Sequence, residues 1–121
     1  MASSPQTWPA LIATARGALW RAVDGTIERL AAADAAQRAA GSVPLVCHMP
    51  AVAARLGLDD LRARDLLQLF AFVRPARFCL PTPRGLCEAL DLGVPTTPEE
   101  EVASLPQAAR ALLDELEDMA A

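Results

Sequence analysis

The chain has 121 residues, 53% of them hydrophobic, and carries eleven Arg, no Lys and a formal net charge of −4. That length supports one domain with a single modest core, and the acidic balance argues against a protein held on DNA mainly by electrostatics. No apolar run reaches the ~18 residues a membrane span needs, and without Lys no GxxxxGK[ST] phosphate loop can exist.

In chain order, Met1 to Pro9 reads as a flexible tail, loose apart from Trp8, and a single α/β domain is expected over 10–121. Residues 11–30 read as three short strands. Arg16-Gly17 makes the first turn and Asp24-Gly25 the second, since Asp-Gly between apolar runs is a strong hairpin signal. Trp20 is expected in the core or covering an edge. Ala31 to Ala40 is a short helix stopped at Gly41. Val43 to His48 is a compact apolar strand, and a helix between two strands implies a crossover and a parallel pairing. Pro50 suits the first turn of a helix over Ala51 to Leu56, ended by Gly57.

Asp59 to Arg64 reads as a charged connector. Asp65 is a good N-cap for a helix over Leu66 to Val73, with Leu66, Leu69, Phe70 and Val73 on one face. Pro75 ends it, and Arg77 to Pro83 is extended. Thr82 and Pro83 are the N-cap and first residue of a helix over Arg84 to Leu92, closed by Gly93. Thr97-Pro98-Glu99-Glu100 forms a capping box in which Thr97 and Glu100 exchange hydrogen bonds. Pro106 should break the last segment in two, leaving an acidic C-terminal helix over about 106–119 with an apolar stripe of Ala109, Leu112, Leu113, Leu116 and Met119. Seven acids face Arg110 between Glu99 and the end, a net of −6, whereas ten Arg and eight acids over residues 1–98 net +2. The fold expectation is a small mixed sheet of about four strands, a three-stranded meander plus one further strand, packed with four to five helices.

Chemistry-bearing residues are few. Cys47-His48 pairs a thiol with the only His, but a zinc site needs about four ligands at close spacing, and Cys79 and Cys87 are too far apart to complete one. Three Cys fit reduced, structural thiols and a cytoplasmic protein, and no metal or cofactor site is expected. No carboxylates pair at a strand end, so no catalytic residue is assigned. Arg74, Arg77 and Arg84, interleaved with Phe72 and Phe78, are the candidate contact residues. Either the rings are core and the Arg heads solvated or paired, or the group meets single-stranded nucleic acid or a protein partner.

DLLQLFAFVRPARFCLPTPRGLCEAL, preceded by VPLVCHMPAVAARLGL, resembles the N-terminal region of alphaproteobacterial ATP-dependent DNA helicases of the DinG type, themselves similar to the XPD-like branch of superfamily 2. The resemblance covers roughly residues 10 to 116. It implies a non-catalytic accessory domain in DNA repair or replication, with the helicase motor expected downstream and single-stranded DNA as a possible partner. A second likeness, to DnaQ-like exonucleases, sets Ile12 to Gly17 where such enzymes carry a D-x-E strand, with Ala13 and Ala15 at the acid positions. Leu45 to His48 sits at the place of a later His motif, and Asp65 to Leu69 with RGLCEALDLG at a third segment. Two-metal chemistry without those carboxylates is not credible, so this likeness implies a degenerate, inactive relative. Composition alone favours a stand-alone protein-interaction domain with no nucleic-acid role, and a residual exonuclease is the third reading.

Overall fold

The computed structural model describes residues 7–120. Its elements are β1 (Ala10–Thr14), β2 (Gly17–Arg21), β3 (Ile27–Leu30), α1 (Ala32–Gly41), β4 (Leu45–Val46), α2 (Met49–Leu56), β5 (Arg64–Asp65), α3 (Leu66–Val73), α4 (Pro83–Ala89) and α5 (Pro98–Ala120). The sheet runs β3-β2-β1-β4-β5. The meander β1–β2–β3 is antiparallel, whereas β1–β4 and β4–β5 are parallel, so β2 alone runs against the other four strands. This is the expected mixed sheet with one strand more than the sequence suggested.

Alternation along the strands divides the core in two. Ala10, Ile12 and Leu19 face α3, α4 and α5, burying Leu66, Phe70, Leu86, Leu105 and Leu112. Leu11, Ala18 and Trp20 face α1 and α2, burying Ala35, Ala39, Val52 and Leu56. The result is a helix–sheet–helix sandwich built around β1. Among the described residues no helix is long and apolar enough to cross a membrane.

The first turn requires its glycine. Gly17 has φ +132, and a Cβ there would lie 2.5 Å from the Leu30 carbonyl oxygen of β3. The second turn closes with the Asp24 carboxylate accepting from the Thr26 amide at 2.9 Å.

Five expectations are corrected. Residues 1–6 of the expected tail lie outside the described residues; Trp8 is held, in keeping with its exception from the loose tail, but Pro9 is fixed as well. The Trp8 ring lies 4.4 Å from the Arg64 guanidinium, and the buried Pro9 accepts at its carbonyl from the Leu45 amide at 2.7 Å. The connector before Asp65 ends in a strand, β5, made by pairing with β4. α4 stops at Ala89, and Asp91, with φ 57, takes the left-handed position instead of Gly93. Thr97 Oγ1 accepts from the Glu100 amide at 3.1 Å as expected, but the Glu100 carboxylate binds the amide and hydroxyl of Thr96. Finally, α5 runs unbroken through Pro106. Proline removes one i→i−4 bond, which costs about 3 kcal/mol in an isolated helix, yet Val102, Leu105, Ala108, Ala109 and Leu112 are fully buried on both sides of it. Burial of each large side chain contributes about 1.5–3 kcal/mol, and packing wins over the local break.

Candidate functional site

Two places could act on something outside the chain. The first is the join of β1 and β4, where the chain leaves in opposite directions along the sheet. Open α/β sheets bind ligands in the crevice beyond the carboxyl ends of strands at such a switch point. Here the crevice measures about 170 Å³ and is lined by Ile12, Ala13, Cys47, Arg55, Thr82 and Glu101, among others.

Its chemistry is sparse. Arg55 is spent on the Ala13 carbonyl at 3.3 Å, and Thr82 Oγ1 accepts from the Gly85 amide at 3.0 Å to cap α4. Burial, aided by the nearby Asp65 charge, pushes the Cys47 thiol up to about 12. A thiol so placed is no nucleophile at neutral pH. Glu101 is the single carboxylate of the lining, and among the described residues no group of three His, Cys, Asp or Glu could hold a metal. Ala13 lines the crevice, whereas Ala15 lies exposed in the turn after β1.

His48 takes the left-handed conformation, φ 62, where β4 turns into α2. No local side chain caps that helix. Asp65 does so from 17 residues away: its carboxylate accepts from the amides of His48 at 3.1 Å and Met49 at 2.9 Å. The same carboxylate accepts from the Leu67 amide at 2.9 Å, so one side chain caps both α2 and α3. Cys47-His48 is thus part of a structural junction.

The second place is the loop from Arg74 to Arg84. Arg74 is committed to packing. Its Nε and Nη2 donate to Glu115 of α5 at 2.9 and 3.1 Å, and its Nη1 donates to the Ala89 carbonyl at the end of α4 at 2.9 Å. It therefore clamps α3, α4 and α5 together. The Arg74 hydrogen bonds, and the positive charges of Arg74 and Arg77, hold the Glu115 carboxyl below the usual range.

Arg77 and Arg84 are exposed, as the contact reading requires. The rings divide. Phe70 is in the core, but Phe72 is 68% exposed and Phe78 82%, with Leu80 at 59%. Phe78, Cys79, Leu80, Gly85, Glu88 and Ala89 surround a recess of about 240 Å³. The loop is held in place: Arg77 N donates to Arg74 O at 3.1 Å and Thr82 N to Leu80 O at 2.8 Å. Leu80 lies against Gly85, where a Cβ would come 2.6 Å from both the Leu80 carbonyl oxygen and its Cβ. A fixed loop that presents an aromatic and an aliphatic side chain to solvent is a candidate contact surface, because single folded domains seldom leave such groups together in water. Sequence reasoning found the Arg residues but missed Leu80 and the recess. The available signal was the prolines at 75, 81 and 83, which deny Phe78 any element on which to bury.

Compared with known proteins, the chain matches no protein-family model, no curated protein and no solved structure.

Proposed function

We propose that this chain is a non-catalytic accessory module of an ATP-dependent DNA helicase that works by docking on a protein surface through the Arg74–Arg84 loop. The observation that carries the docking reading is the exposure of Phe78 and Leu80 on a loop pinned by Gly85 and by the Arg74 clamp. Aromatic residues and Arg are enriched at protein interfaces, and an apolar anchor beside a recess is the usual form of a hot spot. The helicase context rests on the resemblance of DLLQLFAFVRPARFCLPTPRGLCEAL. The strand-end crevice, with its single carboxylate and its protonated thiol, offers no constellation for bond cleavage.

A second reading is favoured by Phe78 lying next to Arg77: a ring for stacking on a base and a cation for a phosphate. Two Arg contacts predict a log–log salt slope of about −1.4 for single-stranded DNA, a weak binding mode on a chain of net charge −4. Fluorescence anisotropy with labelled oligo(dT) separates the two. Docking predicts little binding at physiological salt, together with association with a DinG-type motor that Phe78→Ser abolishes. Tight oligo(dT) binding lost in Arg77→Ala with Arg84→Ala would overturn docking in favour of DNA contact. Digestion of DNA by the purified chain in Mg²⁺ or Mn²⁺ would refute the non-catalytic assignment.

A further inference from the structure

The crevice at the join of β1 and β4 has no part in the docking reading, and none of its lining residues belongs to the recess at Phe78. Its floor is apolar, made by the buried Ile12, Cys47 and Val52. Its 170 Å³ is close to the size of an apolar cavity that takes up benzene, about 150 Å³, so it has room for one compact hydrocarbon group. Three polar side chains reach the same crevice from three different elements. Arg55 stands in the last turn of α2, Thr82 caps α4, and Glu101 lies near the start of α5. The bond to the Ala13 carbonyl takes one of the five N–H groups of Arg55 and fixes its guanidinium at the end of β1. Thr82 Oγ1 accepts from the Gly85 amide, which leaves its own hydrogen to donate. The half-buried Glu101 carboxylate accepts no hydrogen bond and pairs with no cation among the described residues, although Arg55 lines the same crevice.

We infer that this crevice is a binding site for a free α-amino acid with a compact aliphatic side chain. A cation and an anion that line one crevice without pairing with each other are complementary to a ligand that carries both charges. A small zwitterion with a hydrocarbon group meets all three features of the lining. Its carboxylate accepts from the remaining Arg55 N–H groups and the Thr82 hydroxyl, its ammonium donates to Glu101, and its side chain rests on Ile12, Cys47 and Val52. Hydrogen bonds between ionised partners are the strong ones, and the Glu101 bond supplies a partner to a half-buried charge that has none. A ligand with one charge fits worse: a simple amine sets its charge beside Arg55, and a simple carboxylate sets its own beside Glu101. An apolar floor with a few placed polar groups, at the switch point of an α/β sheet, is also the common form of a small-molecule site. The inference assigns binding and no reaction.

Titration of the isotope-labelled full chain with L-leucine, followed by amide chemical shifts, tests it. Saturable shifts are expected at Ala13, Cys47, Arg55 and Thr82, with a dissociation constant on the order of 0.1–1 mM for a ligand this small. Leucinamide lacks the carboxylate, as the N-terminus of a peptide does, and N-acetyl-leucine lacks the ammonium, as a peptide C-terminus does. Each binds about tenfold or more weakly, because each leaves one charge of the crevice unmet. Glycine, with both charges and no hydrocarbon, is weaker as well. Arg55→Gln and Glu101→Gln each weaken leucine binding about tenfold, and the dispersion of the same spectra shows that the variants are folded. No saturable shift up to about 20 mM leucine overturns the inference. Equal binding of leucine and either blocked analogue by the wild-type chain does so too, as does leucine binding that both variants retain.

Discussion

Asp65 ties the starts of two helices together with one side chain. Its two oxygens accept three amides at the starts of α2 and α3, whose preceding strands β4 and β5 pair side by side. Replacing an N-cap by Ala costs about 0.5–2 kcal/mol, and here two caps share one residue, so Asp65→Ala is expected to cost about 2 kcal/mol. Urea titration reads this directly, and Asp65→Asn should recover part of the loss. Glu115 gives a pH signature. Its folded-state value lies below the ordinary 4.5, so the stability it contributes is complete above that value and is lost as pH falls through the folded one. Wild type should therefore melt above Glu115→Gln at pH 6, and the two should converge as pH drops below about 4.5. Salt should narrow the gap, since the pair is partly exposed.

At the scale of elements, several local signals in the sequence, where a residue acts on its own backbone, match the structure. Gly17 and Gly25 turn the meander, Asp65 and Thr82 cap α3 and α4, and Gly57 ends α2 in the left-handed conformation. Two of the features that escaped depend on distant partners. β5 is two residues long, too short for any periodicity, and exists because Leu45 and Val46 lie opposite Arg64 and Asp65. α5 passes Pro106 because the sheet and α3 bury both halves of it, a fact invisible to a rule about isolated helices. The candidate surface was half legible. The Arg positions could be read, but Phe72 is exposed because α3 buries its Leu66, Phe70 and Val73 face, and the place of Phe78 was decided by loop geometry. That geometry hinges on Gly85: a methyl group there would strike Leu80 backbone and side chain at 2.6 Å, and neither is a flexible chain end. Gly85→Ala is expected to displace the loop, lowering stability and disturbing the recess at Phe78. Amide chemical shifts over residues 76–88 would show the change, and an unperturbed loop would contradict it.

For the molecule as a whole, stability is concentrated on the face covered by the latest segments. Val102, Leu105, Ala108, Ala109 and Leu112 of α5 are all fully buried against β1, β2, β4, α3 and α4. Leu112→Ala is expected to cost about 2–5 kcal/mol, a large share of the 5–15 kcal/mol that holds a small domain folded. A denaturant midpoint shifted by less than a quarter of the wild-type value would argue against so thin a core. The other face, lined by Ala35, Ala39 and Ala53, has less to lose.

The central place of β1 also sets a timetable. The first strand made is the innermost, flanked by β2, which comes at once, and by β4, which comes more than thirty residues later. Its second face waits for α5. An isolated three-stranded meander has little to stabilise it, and the contacts that secure it come from segments distant in sequence. During synthesis this domain should stay uncommitted until nearly all of it has emerged, then close in a single cooperative step, with Leu105 and Leu112 arriving as the final pieces of a core begun at Ala10.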